Sequence, residues 1–252
     1  MRFAVLRMIW ACCALVLAWP AATHAADGPV FELGTSQGED TLPGKMQRRI
    51  YGEAFRRLGL PLHFNVMPLQ RLSAAADQGQ IDGDVARVPG YGADHPELVR
   101  VDETVYDVTF ALFTTNPTLT LPSLAALADT NWRGTYIRGA AVCLHALRPL
   151  LPGDRLIDVS TDAQGFDMLC LGRSEVHCTA DLSALTLRYS PGFRGIDIMR
   201  KVADIGSYAL HPYLHRRHAE LAPKLAAVLK QMKAEGLVER YRAESLRELE
   251  GR

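Results

Sequence analysis

The sequence predicts an α/β protein made of two successive units, each a mostly parallel sheet flanked by helices, and three observations carry that prediction. From residue 30 to residue 88 apolar residues recur with alternating strand and helix periods, in the order strand, helix, strand, helix, strand. The same alternation restarts near Gly134. The connections are only a few residues long, which calls for right-handed crossovers and parallel pairing within each unit.

Element by element, VFELGTS (30–36) reads as the first strand, and QGEDTLPGK after it as loop. Met46, Ile50, Ala54, Phe55 and Leu58 then fall on one helical face that Gly59 ends. PLHFNVM alternates Leu62, Phe64 and Val66, the period of a strand. Pro68 opens a second helix running through Leu72 and Ala76 to Gly79, and IDGDVARV returns as strand. VYDVTFALFTTN (105–116) is long and β-rich. The second unit follows as strand GTYIRG, a helix over 140–151, strand RLIDVS, helix DAQGFDMLCLG and strand SEVHCTAD. LTLRYS (185–190) and GIDIM (195–199) again read as strands. A terminal amphipathic helix carries Leu214, Leu221, Leu225, Val228 and Met232 on its apolar stripe, and after Gly236 a short helix VERYRAES closes the chain. The units echo one another: Gly79 is followed three residues later by Asp82, and Gly172 three residues later by Glu175.

The first 25 residues place Arg2 and Arg7 ahead of an apolar run, then Pro20, Thr23 and Ala25, the layout of a signal peptide cut before Ala26. The run from Met8 to Trp19 is short for a membrane span, which needs roughly 20 residues. Cys12 and Cys13 follow Ile9-Trp10-Ala11, so they lack the context of a lipid attachment site. A soluble exported protein is expected. Of the 28 basic residues two leave with the leader, so the mature chain is near neutral against its 28 acidic ones, and neither nucleic acid nor an anionic membrane is indicated as partner. Cys143, Cys170 and Cys178 would meet an oxidising compartment, enough for one disulfide and one free thiol. Cys170 with Cys178 is the preferred pair, joining a helix end to the next strand, and Cys143 is the alternative partner.

The stretch RRIYGEAFRRLGLPLHFNVMPLQRLSAAADQGQIDGDVARV resembles the first lobe of bacterial extracellular solute-binding proteins of family 3. There, a helix, a strand ending in Pro-x-x-Arg and a Gly-x-x-Asp-Gly strand follow in this order. YLHRRHAELAPKLAAVLKQMKAEG is similar to that family's closing helix. The resemblance implies a two-lobed periplasmic binding protein that closes by a hinge on a small polar, including anionic, ligand for an ABC importer, as a monomer without cofactor and without catalysis. It places lobe 1 at residues 27 to about 113 plus about 189 to 252 and lobe 2 between, with ALFTTN and LTLRYS as hinge strands. Two departures stand out: VPGYGADHPELVR has no arginine before Arg100, and RGAAVC lacks the hydroxyls of a Gly-Thr-Thr turn, so an ordinary amino-acid ligand is not what these segments favour. The resemblance extends to periplasmic cyclohexadienyl dehydratases, for which Asp84, Asp181 or Glu103 would be the acid or base, and a ligand-sensing module for a membrane receptor is the third class.

Ligands of open α/β sheets sit beyond the carboxyl ends of the strands. That rule selects Thr35 and Ser36 after the first strand, Arg71 after the second, Arg87 at the end of the third and Arg138 in the second unit as ligand contacts. Arg87 leads, because a guanidinium grips a carboxylate or phosphate by two parallel hydrogen bonds. Asp181 is the second-lobe acid for a ligand amine or, equally, a helix cap. Asp82, at the start of its strand beside Gly79, reads as a structural turn residue, and mid-strand Asp84 needs a cationic partner, for which Arg71 or Arg87 could serve. GTSQG matches a hydrolase nucleophile elbow but lacks the immediate helix. His211, His215 and His218 read as a solvated basic segment rather than a zinc site, and strand alternation puts His177 and Cys178 on opposite faces.

Overall fold

A computed structural model of the protein describes residues 29–190, 192–193 and 199–251, so the expected signal peptide and most of the GIDIM segment lie outside the described residues. The first unit runs β1 (Phe31–Thr35), α1 (Leu42–Leu58), β2 (Leu62–Val66), α2 (Leu69–Asp77), β3 (Gly83–Arg87) and a short β4 (Leu98–Arg100). β5 (Tyr106–Thr114) leads to the second, with β6 (Gly134–Ile137), α3 (Ala141–Leu147), β7 (Leu156–Val159), α4 (Asp162–Cys170), β8 (Val176–Ala180) and α5 (Asp181–Tyr189). β9 (Arg200–His215), α6 (Ala222–Ala234) and α7 (Leu237–Glu250) complete the chain.

The strands form one continuous curled sheet in the order β2-β1-β3-β9-β5-β8-β6-β7, with β4 on β9. Within each unit the pairing is parallel, β1 with β2 and β3, β6 with β7 and β8. The two parallel sets are joined by the antiparallel ribbon of β5 and β9, in register from Tyr106 opposite Leu210 to Thr114 opposite Arg200 and bulged at Phe110/Ala111 and Leu112/Phe113. This is a two-lobed α/β architecture.

Local sequence chemistry explains the boundaries. Thr41 caps α1 by accepting the Gly44 N–H, and Gly59 ends it at φ +69°, where a side chain would be strained. The buried stripe of α1 packs with Leu225, Leu229 and Met232 of α6 over β1 and β5. A second core gathers Leu112, Leu127, Leu147 and Val176 around Cys143 and Cys178. The repeated Gly-x-x-acid step has a shared cause: Asp82 accepts the N–H of Glu32 in β1 at 2.7 Å, and Glu175 accepts that of Arg133 just before β6 at 2.6 Å. Each acid thus ties the entry of its unit's third strand to the start of its first.

Several expectations need correction. LTLRYS is the second half of α5, not a strand: Leu182, Ser183, Ala184 and Leu187 share its buried face, and Leu185 with Leu187 only mimics alternation. The strand that returns from the second unit to the first is β9, which takes in Leu214, expected on the terminal helix; Gly206 and Pro212 interrupt its pattern and hide a 16-residue strand. The disulfide joins Cys143 of α3 to Cys178 of β8, with Cα atoms 5.9 Å apart, while Cys170 is free and exposed. Cys170 ends α4 facing solvent, whereas Cys178 and Cys143 meet in the buried layer between β8 and α3. The helix expected over 140–151 stops at Leu147, and the closing helix α7 is longer than its predicted core.

Candidate functional site

A cleft of about 570 Å³ opens where strand ends of both units meet across the β5/β9 ribbon. One wall is made by Thr35 at the end of β1 and Ser36 after it, the start of α1, and Asp84 to Arg87 of β3 with Val88 beyond it; the other by the starts of α3, α4 and α5. Its floor is the inward face of β5, on which Tyr106, Val108 and Phe110 alternate with outward residues.

A buried ion pair and a hydrogen-bonded polar chain lie at the first-unit end. Arg87 and Asp84, 7% and 1% exposed, form an ion pair of 2.6 Å, and Arg87 also donates to Ser73 Oγ at 3.2 Å. The guanidinium carbon lies 4.5 Å from the centre of the Tyr91 ring, a cation–π contact that fixes its plane. Burial raises the Asp84 carboxyl above its ordinary value, against the opposing pull of Arg87 and the Ala86 N–H. Beside this pair Thr35 Oγ1 donates to Gln47 Oε1 at 2.6 Å, and Gln47 Nε2 donates to the Tyr106 hydroxyl at 2.7 Å. Burial raises the Tyr106 hydroxyl against the opposing Gln47 hydrogen bond, and the Asp84 charge adds to the rise, so Tyr106 stays a neutral hydroxyl. On the opposite wall Thr161 caps α4, and Asp162 Oδ1 lies 3.0 Å from Nε2 of the fully buried His177, whose Nδ1 meets Thr135 Oγ1 at 2.9 Å. The disulfide sulfurs' residues, Cys143 and Cys178, also border this wall.

Thr35, Ser36 and Arg87 therefore face the cleft, as the strand-end rule expects. Arg71, Arg138 and Asp181 do not. Arg71 turns outward from α2 into a shallow depression with Glu32, His63 and Asn65, because Leu72 takes the inward position. Arg138 is exposed and paired with Asp158. Asp181 Oδ1 accepts the N–H groups of Leu182 at 2.8 Å and Thr109 at 3.3 Å, holding the start of α5 against β5. Glu103 pairs with Lys233 at 2.7 Å, away from the cleft. Asp82 accepts from Arg217 and lies 2.7 Å from His218 Nε2 at the opposite end of β3. His211 instead meets the Val101 carbonyl at 2.8 Å, and among the described residues no set of three His, Cys, Asp or Glu side chains forms a metal-binding group. Gln47 and Tyr106 were not singled out from the sequence. The available signal was a polar residue beside Met46 on the buried stripe of α1, and a tyrosine at an inward position of β5.

No protein-family model matches the chain. An uncharacterized protein of Shewanella oneidensis is 30% identical over 201 residues, 80% of this chain and 76% of that one. Among solved structures, an ancestral arginine-binding protein bound to glutamine superimposes with a TM-score of 0.71 at 15% identity, covering 85% of this chain and 96% of that one. An amino-acid ABC-transporter substrate-binding protein of Streptococcus pneumoniae bound to L-arginine gives 0.71 at 11% identity, with 87% and 94% covered. A histidine-kinase sensor domain with similarity to periplasmic binding proteins gives 0.70 at 14% identity, with 86% and 96% covered. The fold of this chain is that of periplasmic binding proteins.

Proposed function

Because the chain belongs to the family of the Shewanella oneidensis protein and has the periplasmic-binding-protein fold, we propose that it is a periplasmic solute-binding protein that captures a small carboxylate-bearing solute between its lobes. The observation that carries this reading is the buried Arg87 on the wall of a cleft bordered by both units. Its guanidinium is held by Asp84, Ser73 and Tyr91 before any solute arrives, so little ordering remains to be done on binding. A solute touching both walls stabilises the closed arrangement only through contacts made to each.

In this reading residues 1–25 are a cleaved leader, the lobes divide near residues 113 and 189, and β5 and β9 are the hinge crossings. The protein works as a monomer and passes its solute to an ABC importer. Capture without turnover is favoured because, of the three acids considered for catalysis, only Asp84 faces the cleft, and it is committed to Arg87. The likeness to a sensor domain supports a second reading, in which the closed form is read by a membrane receptor.

A thermal-shift screen against amino acids, polyamines, di- and tricarboxylates, sugar acids and prephenate tests capture. A solute at about a hundred times its Kd stabilises by roughly 2.7 kcal/mol, a rise on the order of 5 to 10 °C. Silence of the folded protein across the panel contradicts the proposal, and consumption of prephenate replaces capture with catalysis.

A further inference from the structure

The charged groups facing the cleft are few, and Arg87, Asp84 and Asp162 are paired within the protein. Arg87 pairs with Asp84 at 2.6 Å, Asp162 is held by His177 at 3.0 Å, and Asp40 stands exposed at the mouth. The polar atoms of Thr35, Gln47 and Tyr106 gather at the same end as Arg87. Away from that end Val108 and Phe110 of β5, Ile137 of β6, Val142 of α3, Leu187 of α5, and Phe193 supply an apolar surface, with the hydroxyls of Ser160, Thr161, Thr179, Ser183, Thr186 and Ser190 among them. Two of these rings are fixed by edge contacts, Phe110 on Tyr208 at 5.8 Å and Phe193 on Phe166 at 6.2 Å. The apolar region is therefore preformed.

Resting on the capture reading above, we propose that the solute is a carboxylate with a bulky aromatic or branched aliphatic body. Its carboxylate meets Arg87, and its body lies against Phe110, Ile137, Val142, Leu187 and Phe193. A solute with a second charge at its far end would bring that charge among apolar side chains and neutral hydroxyls, where the one charged group, Asp162, is already held by His177. A phenyl or isobutyl group in the same place gives up only water-exposed apolar surface, a difference on the order of a hundredfold in affinity. The departures in VPGYGADHPELVR and RGAAVC have a reason on this view: Ala140, Ala141 and Val142 put methyl groups where hydroxyls would otherwise line the second-unit wall.

Calorimetric titration of the oxidised protein with phenylalanine, phenylpyruvate, 3-phenylpropionate, leucine and 4-methyl-2-oxopentanoate, against arginine, glutamate and glutamine, tests the assignment. At least one of the first five is expected to bind about a hundredfold more tightly than any of the last three. Tightest binding by arginine, glutamate or glutamine overturns the apolar class while leaving capture intact; silence from all eight overturns the class, and silence from the wider screen as well overturns capture. Phe110→Ser should weaken the best apolar solute at least tenfold in a folded protein. If that variant does not fold, the near-isosteric Val142→Thr serves, and unchanged affinity in the folded variant overturns the assignment.

Discussion

Removing the Cys143–Cys178 bridge by the double substitution Cys143→Ala/Cys178→Ala should cost the protein a large part of its stability. The bridge closes a loop across a sequence separation of 35, containing α3, β7 and α4. In the chain-entropy account a loop of that length contributes about 4 kcal/mol at 25 °C by restricting the unfolded chain. For a chain of this size each kcal/mol moves Tm by roughly 2 to 4 °C, so a fall on the order of 8 to 16 °C is expected. Both cysteines are fully buried in the second-unit core, and the lost sulfurs leave a gap that deepens the fall. Differential scanning calorimetry of the double variant, of reduced wild type and of Cys170→Ala measures this directly. Cys170 is exposed and unbridged, so its substitution should leave Tm within about 1 °C. A fall under about 3 °C in the double variant, or a large fall in Cys170→Ala, refutes the pairing and the reasoning from loop length.

Asp84→Ala should destabilise by roughly 3 to 5 kcal/mol in chemical denaturation, since it leaves the buried Arg87 without its partner. The paired replacement Asp84→Asn/Arg87→Met should cost less than half as much, because no unmatched charge remains. Asp82 supplies a pH dependence: although burial by itself raises its carboxyl, the Glu32 N–H, Arg217 and His218 together hold it below the ordinary 3.8. A folded value below the unfolded one gives stability that is present above about pH 4 and lost as pH falls through the folded value. Asp82→Asn should therefore flatten the fall of Tm below pH 4, and an unchanged acid limb contradicts the assignment.

Much of the fold was legible because its signals are local. Gly59, Gly79, Gly172 and Gly236 sit where the chain needs a left-handed turn, and the strand and helix periods between them are clean. The long returning strand β9 was not legible, since Gly206 and Pro212 break its alternation and its pairing with β5 is contributed from nearly a hundred residues away. α5 was misread for the opposite reason: six residues taken alone carry two apolar positions at strand spacing, and only Asp181 and Leu182 ahead of them reveal the helix.

The site was legible in part. The strand-end rule found Thr35, Ser36 and Arg87, whose direction follows from position on a parallel strand. It failed for Arg71 and Arg138, because a residue one turn into a helix or at a loop edge can point either way, and each found solvent or a neighbouring acid instead. Gln47 and Tyr106 lie 59 residues apart and become a polar chain with Thr35 only when α1 packs on β5. The cysteine pairing likewise depends on the packing of α3 against β8, which sequence spacing does not carry.

In the proposed function Arg87 anchors a solute in this cleft. The most direct test is calorimetric titration of the best screened carboxylate into wild type and into Asp84→Asn/Arg87→Met, with folding of the variant confirmed by circular dichroism. A loss of at least about a hundredfold in affinity is expected, the worth of a buried charge-assisted hydrogen-bond pair. Binding at the wild-type affinity in the folded variant contradicts it.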